Sequence, residues 1–169
     1  MNLLLFRHGP AGKADAARWP DDRARPLTRR GVKRTTLAAH GIARLLGEID
    51  VVVTSPLVRA AETARLLAEA FETDNLQTLD ALSPGGSERK VIEFLNRQGS
   101  HQCVALVGHE PSLGRLAATL VAGTGMLPLK KAGACVLRCD DEVRSGQAEL
   151  IWFIPPTVLR RIGRKRVHA

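Results

Sequence analysis

The first apolar stretch of the chain lies at residues 3–10, which read LLLFRHGP. A short run of consecutive apolar residues that ends at turn residues is typical of a strand buried on both faces. Comparable runs recur at 51–53, 76–79, 103–107, 134–137 and 150–154. Apolar strands of this kind, separated by helical patterns, predict a mostly parallel sheet with helices on both faces.

Helical patterns fill the spaces between the first five predicted strands. Thr28 is the predicted N-cap of the first helix, and Ser55 with Pro56 predicts the start of the second. Ser87 is the predicted N-cap of a third helix through residue 96, and a fourth runs from about residue 112 to Gly123. The predicted inner face of the first helix consists of Val32, Thr36, Ala39, Ala43 and Leu46.

The last two predicted strands are separated only by residues 139–148, which contain a Ser-Gly pair typical of a turn. This spacing predicts an antiparallel hairpin at one edge of the sheet. The predicted fold is therefore an α/β protein, a three-layer α/β/α sandwich. Its sheet is mostly parallel, with an antiparallel edge hairpin near the C-terminus.

The length of 169 residues predicts a single domain, which we place at 1–159. The formal net charge is +8, and basic residues concentrate in a predicted tail over 160–169. Basic tails can bind nucleic acid, but this one lacks aromatic residues for base stacking, so a solvated terminus is favoured. No apolar run approaches the roughly 20 residues of a membrane span, which favours a cytoplasmic protein. The three cysteines, Cys103, Cys135 and Cys139, are expected to be buried side chains without disulfide bonds.

Polar residues follow three of the predicted strands at their carboxyl ends. Arg7, His8 and Gly9 follow the first strand, Arg59 lies one turn into the helix after the second, and His109 follows the fourth. In open α/β sheets, ligands bind at this edge, where loops and helix starts converge. Taken singly, each residue is more ordinarily a loop residue or a surface charge. Together they predict one site with two histidines and two arginines.

These residue types fit phosphoryl transfer through a covalent histidine. A neutral imidazole is a good nucleophile near pH 7, which makes His8 the predicted nucleophile. The guanidiniums of Arg7 and Arg59 would bind phosphoryl oxygens and keep the imidazole unprotonated by like-charge repulsion. Gly9 would let the backbone pass close to the phosphate, and the helix start near Ser55 would point its amides at it.

Three blocks carry a resemblance to a known family: RHG at 7–9, SPLVRA at 55–60 and GHEP at 108–111. In this order and spacing they resemble the signature blocks of the histidine phosphatase superfamily. RPLT at 25–28 resembles its short bacterial branch, the phosphohistidine phosphatases. The resemblance implies that His8 accepts the phosphoryl group, that Arg7 and Arg59 bind it, and that His109 stabilises it from the other side. It also implies an enzyme that needs no metal and no organic cofactor.

The chain departs from the larger members of that family at the general acid, a carboxylate that they carry after the third strand. The corresponding region offers Asp80 and Glu88, and neither matches well, because Asp80 fits a strand end and Glu88 a first helical turn. Less specific candidates in the loop after the first histidine are Asp15, Asp21 and Asp22.

A site without a general acid favours a phosphorylated imidazole as substrate, because an alkoxide leaving group needs protonation and an imidazole needs it far less. The expected partner is therefore a protein that carries phosphohistidine. The alternative is a small phosphorylated metabolite, such as a sugar phosphate or nucleotide derivative. A non-catalytic phosphate-binding module is disfavoured, because binding alone has no need of His8.

Overall fold

The computed structural model describes residues 1–99, 102–140 and 142–164. The strands are β1 (Asn2–Arg7), β2 (Val51–Thr54), β3 (Leu76–Thr78), β4 (Cys103–Gly108), β5 (Ala134–Arg138) and β6 (Glu149–Ile154). The helices are α1 (Arg29–Leu46), α2 (Val58–Ala70), α3 (Glu88–Asn96), α4 (Ser112–Ala122) and α5 (Pro156–Arg164). Short 3₁₀ turns lie at Asp22–Ala24 and Asp80–Leu82.

The six strands form one sheet in the order β3-β2-β4-β1-β5-β6. β4 pairs in parallel with β1 and with β2, and β2 pairs in parallel with β3. β5 runs antiparallel to both β1 and β6, which confirms the predicted edge hairpin. Because β2, β4 and β1 are parallel neighbours, the loops that follow them meet at one edge of the sheet.

Alternate residues of β1 show that helices cover both faces of the sheet. Leu3 and Leu5 belong to a core that also contains residues of α3 and α4. Leu4 and Phe6 belong to a second core, shared with α1, α2 and α5. All four side chains are fully buried. The three-layer sandwich predicted from the sequence is confirmed.

The predicted helix caps were correct except at α2. Thr28 Oγ1 accepts a hydrogen bond from the Gly31 amide at 2.9 Å, and Ser87 caps α3. The prediction that α2 starts at Ser55 was wrong: the helix begins at Val58, after Leu57 in the N-cap position. Ser55 instead lies in the preceding turn, where its hydroxyl group has a partner at the functional site.

The buried face of α1 also differs from the prediction. Its buried residues are Gly31, Thr35, Ala38, Ala39, Gly41 and Ile42. Only Ala39 belongs to the predicted face, and Val32 is 38% exposed. The physical reason is that α1 packs against α2 and α5 and shares a core with the sheet, so three neighbours determine which of its residues are buried.

The helix α5 was not predicted from the sequence. It includes residues 160–164 of the predicted basic tail, and residues 165–169 lie outside the described part of the chain. Glycines let α1 and α5 cross closely. A Cβ added at Gly41 would lie 2.1 Å from the Leu159 carbonyl oxygen, and one added at Gly163 would lie 1.9 Å from that of Leu37.

Within the described residues, no helix combines the length and the hydrophobicity that a bilayer crossing requires. The three cysteines are free and buried, as predicted. Burial raises the pKa of Cys103 to about 11 and that of Cys135 to about 12. Both thiols therefore stay protonated near neutral pH and are poor nucleophiles.

Gly41→Ala should destabilise the protein by about 1–3 kcal/mol, because its methyl group would overlap the α5 backbone. This loss should outweigh the better helix propensity of alanine, which is worth roughly 1 kcal/mol. The measurement is the urea midpoint, with His40→Ala, at an exposed position of the same helix, as the control. A midpoint of Gly41→Ala at or above that of the wild type would contradict the close crossing.

Candidate active site

Two buried imidazoles meet at the carboxyl edge of the sheet. His8 follows β1 and His109 follows β4, and the His8 amide donates to the Gly108 carbonyl at 3.0 Å. The ring centroids lie 5.0 Å apart, with the ring planes inclined by 53°. The two histidines are 6% and 2% exposed. The structure thus brings together the two histidines predicted from separate strand ends.

The neighbouring backbone sets the tautomer of His8. Its Nδ1 lies 2.7 Å from the Gly9 carbonyl oxygen, which can only accept a hydrogen bond. Nδ1 therefore carries the ring proton, and Nε2 keeps its lone pair. The Gly9 amide donates to Thr63 Oγ1 at 3.0 Å, and a Cβ at Gly9 would lie 2.0 Å from Thr35 Oγ1. Glycine at position 9 thus permits the packing that holds the carbonyl against His8.

Ser55 orients His109. Its Oγ lies 2.9 Å from His109 Nε2 and also accepts a hydrogen bond from the Leu57 amide at 3.3 Å. This arrangement favours donation of the hydroxyl proton to Nε2, which places the imidazole proton on Nδ1. That Nδ1 is buried and has no hydrogen-bond partner among the described residues. His109 thus presents a buried donor that is available to an acceptor.

The two predicted arginines also lie at this edge, and each is held by a neighbouring loop. Arg7 Nη1 donates to the Leu129 carbonyl at 2.7 Å. Arg59 Nη1 donates to the Asp22 carbonyl at 2.8 Å, and its Nη2 lies 3.1 Å from the Asp22 carboxylate. The Nε atoms of both arginines are buried without a partner in the described part of the chain.

Burial and positive charge keep both imidazoles neutral. Burial is the main cause that lowers the pKa of His8 to about 3 and that of His109 to about 4. Repulsion from Arg7 and Arg59 adds to the lowering at both rings. The Nε2 lone pair of His8 is therefore available near neutral pH without prior loss of a proton.

Among the described residues, the candidate acids Asp80 and Glu88 make no hydrogen bond or ion pair with the site histidines or arginines. Asp80 begins a 3₁₀ turn and lines a surface cavity with Lys90 and Arg97, and Glu88 begins α3 and lines a separate cavity of about 160 Å³. Neither cavity is lined by a histidine or by either site arginine.

Asp22 is the loop carboxylate that the structure brings to the site. It accepts from Arg25 Nε at 2.7 Å and contacts Arg59, and these partners lower its pKa, with the hydrogen bond from Arg25 the largest cause. It is therefore an anion near neutral pH rather than a proton donor. Asp22 was one of the three less specific acid candidates in the sequence, and the RPLT block that follows it contains its partner Arg25.

Two further residues of the site were missed. Glu110 follows His109, and its Oε1 accepts from the Leu129 amide at 3.1 Å, while burial raises the pKa of its carboxyl group. Burial lowers the pKa of Lys131, and repulsion from Arg7, Arg25 and Arg59 lowers it further. Among the described residues, no group of three or more His, Cys, Asp or Glu side chains is arranged to hold a metal ion.

Comparisons with known proteins agree on one family. The family model described as histidine phosphatase superfamily (branch 1) matches residues 3–84. An uncharacterised protein of Picosynechococcus is 41% identical over 142 residues, which cover 82% of this chain and 85% of that protein. The phosphohistidine phosphatase SixA of Escherichia coli is 29% identical over 163 residues, covering 95% and 97% of the two chains.

Among solved structures, the protein histidine phosphatase SixA complexed with tungstate superposes with a TM-score of 0.83 at 26% identity. The match covers 94% of this chain and 99% of that chain, so the similarity extends over nearly the whole fold.

The buried histidines should make stability depend on pH. Between about pH 6.5 and pH 4 the unfolded chain binds protons at both imidazoles and the folded chain does not, so stability should fall as pH falls. Each histidine should contribute a slope of up to about 1.4 kcal/mol per pH unit. Urea midpoints from pH 7 to pH 5 should therefore fall less steeply for His8→Gln and His109→Gln. His40→Gln, at an exposed position, is the control, and equal slopes for all four proteins would contradict the buried neutral state.

Proposed function

This chain belongs to the histidine phosphatase superfamily and is a phosphatase, and on that basis we propose that it dephosphorylates protein phosphohistidine through a covalent intermediate on His8. The phosphatase class follows from the family, and the substrate and the residue roles are the proposal. The observation that carries the proposal is that one site holds a His8 Nε2 with a free lone pair and buried donors that have no partner among the described residues.

The donor set fits a phosphoryl group. Buried N–H groups are nearly always hydrogen-bonded in proteins, so the Nε atoms of Arg7 and Arg59 and the Nδ1 atom of His109 need acceptors. A phosphoryl group supplies several charged oxygens at once. Guanidinium groups bind such oxygens strongly, and donors fixed in a water-poor site stabilise the charge that develops in the transition state.

The reaction proceeds in two displacement steps. His8 Nε2 attacks phosphorus, a P–N bond forms, and the bond to the leaving group breaks, with the electron pair departing on the leaving group. Water then attacks phosphorus, the P–N bond breaks, and Nε2 regains its lone pair as phosphate forms. Throughout, Nδ1 keeps its proton and donates a hydrogen bond to the Gly9 carbonyl, which stabilises the positive charge that the ring acquires.

The carboxylates around the site favour phosphohistidine as the substrate. Asp22 is held as an anion by arginines, and neither Asp80 nor Glu88 lines a cavity with the site residues. A leaving group that needs little protonation suits such a site, and imidazole is one. The similarity over almost the full length to a phosphohistidine phosphatase supports the same substrate class.

A leaving-group series tests this function. The value of kcat/KM for a phosphohistidine peptide should exceed that for a phosphoserine peptide or a sugar phosphate by about 10² or more, since a positioned acid contributes about 10²–10⁴-fold. Glu88→Gln and Asp80→Asn should change kcat less than about twofold on each substrate, far below that range. If kcat/KM of the wild type varies little with the leaving group, and varies strongly in Glu88→Gln or Asp80→Asn, the substituted residue is a general acid. That result would point to small phosphate monoesters instead.

A further inference from the structure

We propose that Glu110 is a positioning residue that holds the guanidinium of Arg7 in the phosphoryl site, an inference that rests on the function proposed above. Glu110 directly follows His109 in the loop between β4 and α4. It is the carboxylate nearest in sequence to the site histidines, yet its hydrogen bonds are with backbone. One of these hydrogen bonds connects it to Arg7 through Leu129.

One buried residue connects the carboxylate to the guanidinium. Leu129 is 1% exposed; its amide donates to Glu110 Oε1 at 3.1 Å, and its carbonyl accepts from Arg7 Nη1 at 2.7 Å. The position of the Leu129 backbone therefore sets the position of the guanidinium. Burial lowers the pKa of Arg7, and the negative charge of Glu110 offsets part of that lowering.

The first turn of α4 is shaped to receive this carboxylate. A Cβ at Gly114 would lie 2.7 Å from Glu110 Oε2 and 2.8 Å from the Leu127 carbonyl oxygen, so only glycine leaves room for both. The Leu127 amide donates to the Gly114 carbonyl at 2.9 Å. Glu110 thus lies at the N-terminal end of α4, where a negative charge is favourable, and joins the segment 127–129 to that helix.

The other end of the segment is attached to β1. The Ala132 amide donates to the Arg7 carbonyl at 3.1 Å, and the Arg7 amide donates to the Gly133 carbonyl at 3.1 Å. Ala132 has a φ of 57°, a left-handed conformation that is strained for a residue with a Cβ. The segment 129–133 therefore holds both the backbone and the guanidinium of Arg7. Glu110 fixes this segment at Leu129, the residue whose carbonyl accepts from the guanidinium.

Removing the carboxylate would leave the buried Leu129 amide without an acceptor and allow the Leu129 carbonyl to move. A displacement of about 1 Å at a positioned group can cost roughly 10²-fold in rate. Glutamine at position 110 keeps an acceptor oxygen for the Leu129 amide and removes the charge and the acid proton. It therefore separates a positioning role, which glutamine retains, from proton donation, which it loses.

The test compares Glu110→Ala, Glu110→Gln and wild type, using kcat and KM for a phosphoimidazole and the Ki of inorganic phosphate. Glu110→Ala should lower kcat/KM by about 10- to 10²-fold and raise the phosphate Ki by about tenfold. Glu110→Gln should stay within about threefold of wild type for both quantities at every pH, well short of the loss expected from a displaced guanidinium. In an Arg7→Ala background, Glu110→Ala should cause no further loss.

The matched control is Asp50→Ala. Asp50 likewise accepts from backbone amides, those of Gln102 and Cys103 at 2.6 and 2.7 Å, but at the opposite end of the sheet. It should lower the thermal midpoint without changing the phosphate Ki. If Glu110→Ala does not fold, Glu110→Asp, which is one methylene too short to keep the contact, is measured instead.

Three results would overturn the proposal: a phosphate Ki for Glu110→Ala equal to that of wild type, additive losses in the Arg7→Ala background, or a Glu110→Gln variant as impaired as alanine. The last result, with a changed pH profile, would make Glu110 a proton donor. A wild-type enzyme that neither binds phosphate nor turns over phosphoimidazole would instead refute the proposed function.

Discussion

Positive charge packed beside two buried imidazoles is the constraint on which the site depends. Arg7 and Arg59 act on His8 and His109 together with burial, and both rings stay neutral as a result. The neutral state leaves His8 Nε2 nucleophilic and turns His109 into a hydrogen-bond donor toward the site. The guanidiniums add to the lowering of both imidazole pKa values by burial, and in the proposed reaction the same charges would favour a bound phosphoryl dianion.

Each guanidinium is balanced by a carboxylate. Asp22 contacts Arg59 directly, and Glu110 interacts with Arg7 with the Leu129 backbone between them. In both cases Nη1 donates to a backbone carbonyl, and Nε is buried without a partner among the described residues. The loops therefore fix the arginines and leave part of their hydrogen-bonding capacity for a ligand, which is how a site can be organised before its ligand arrives.

The sequence was most informative where residues follow strands. Parallel pairing of β1, β4 and β2 follows from their apolar runs, and that pairing alone predicts that Arg7, His8 and His109 share one edge. The contacts of Asp22 and Glu110 could not be predicted, because they depend on loops without hydrophobic periodicity. The prediction of the buried face of α1 was wrong for a related reason. Part of that face packs on α5, and α5 was not predicted because its basic residues resembled a tail.

The central claim is that His8 Nε2 carries the phosphoryl group during turnover. The most direct measurement is rapid quenching at alkaline pH with radiolabelled substrate, followed by peptide mapping and phosphorus–nitrogen correlated NMR of the trapped enzyme. Label on His8 at Nε2, with none in His8→Ala, is the predicted result, because Nδ1 is bonded to the Gly9 carbonyl. Label on another residue, label at Nδ1, or turnover without any trapped phosphoenzyme would contradict it.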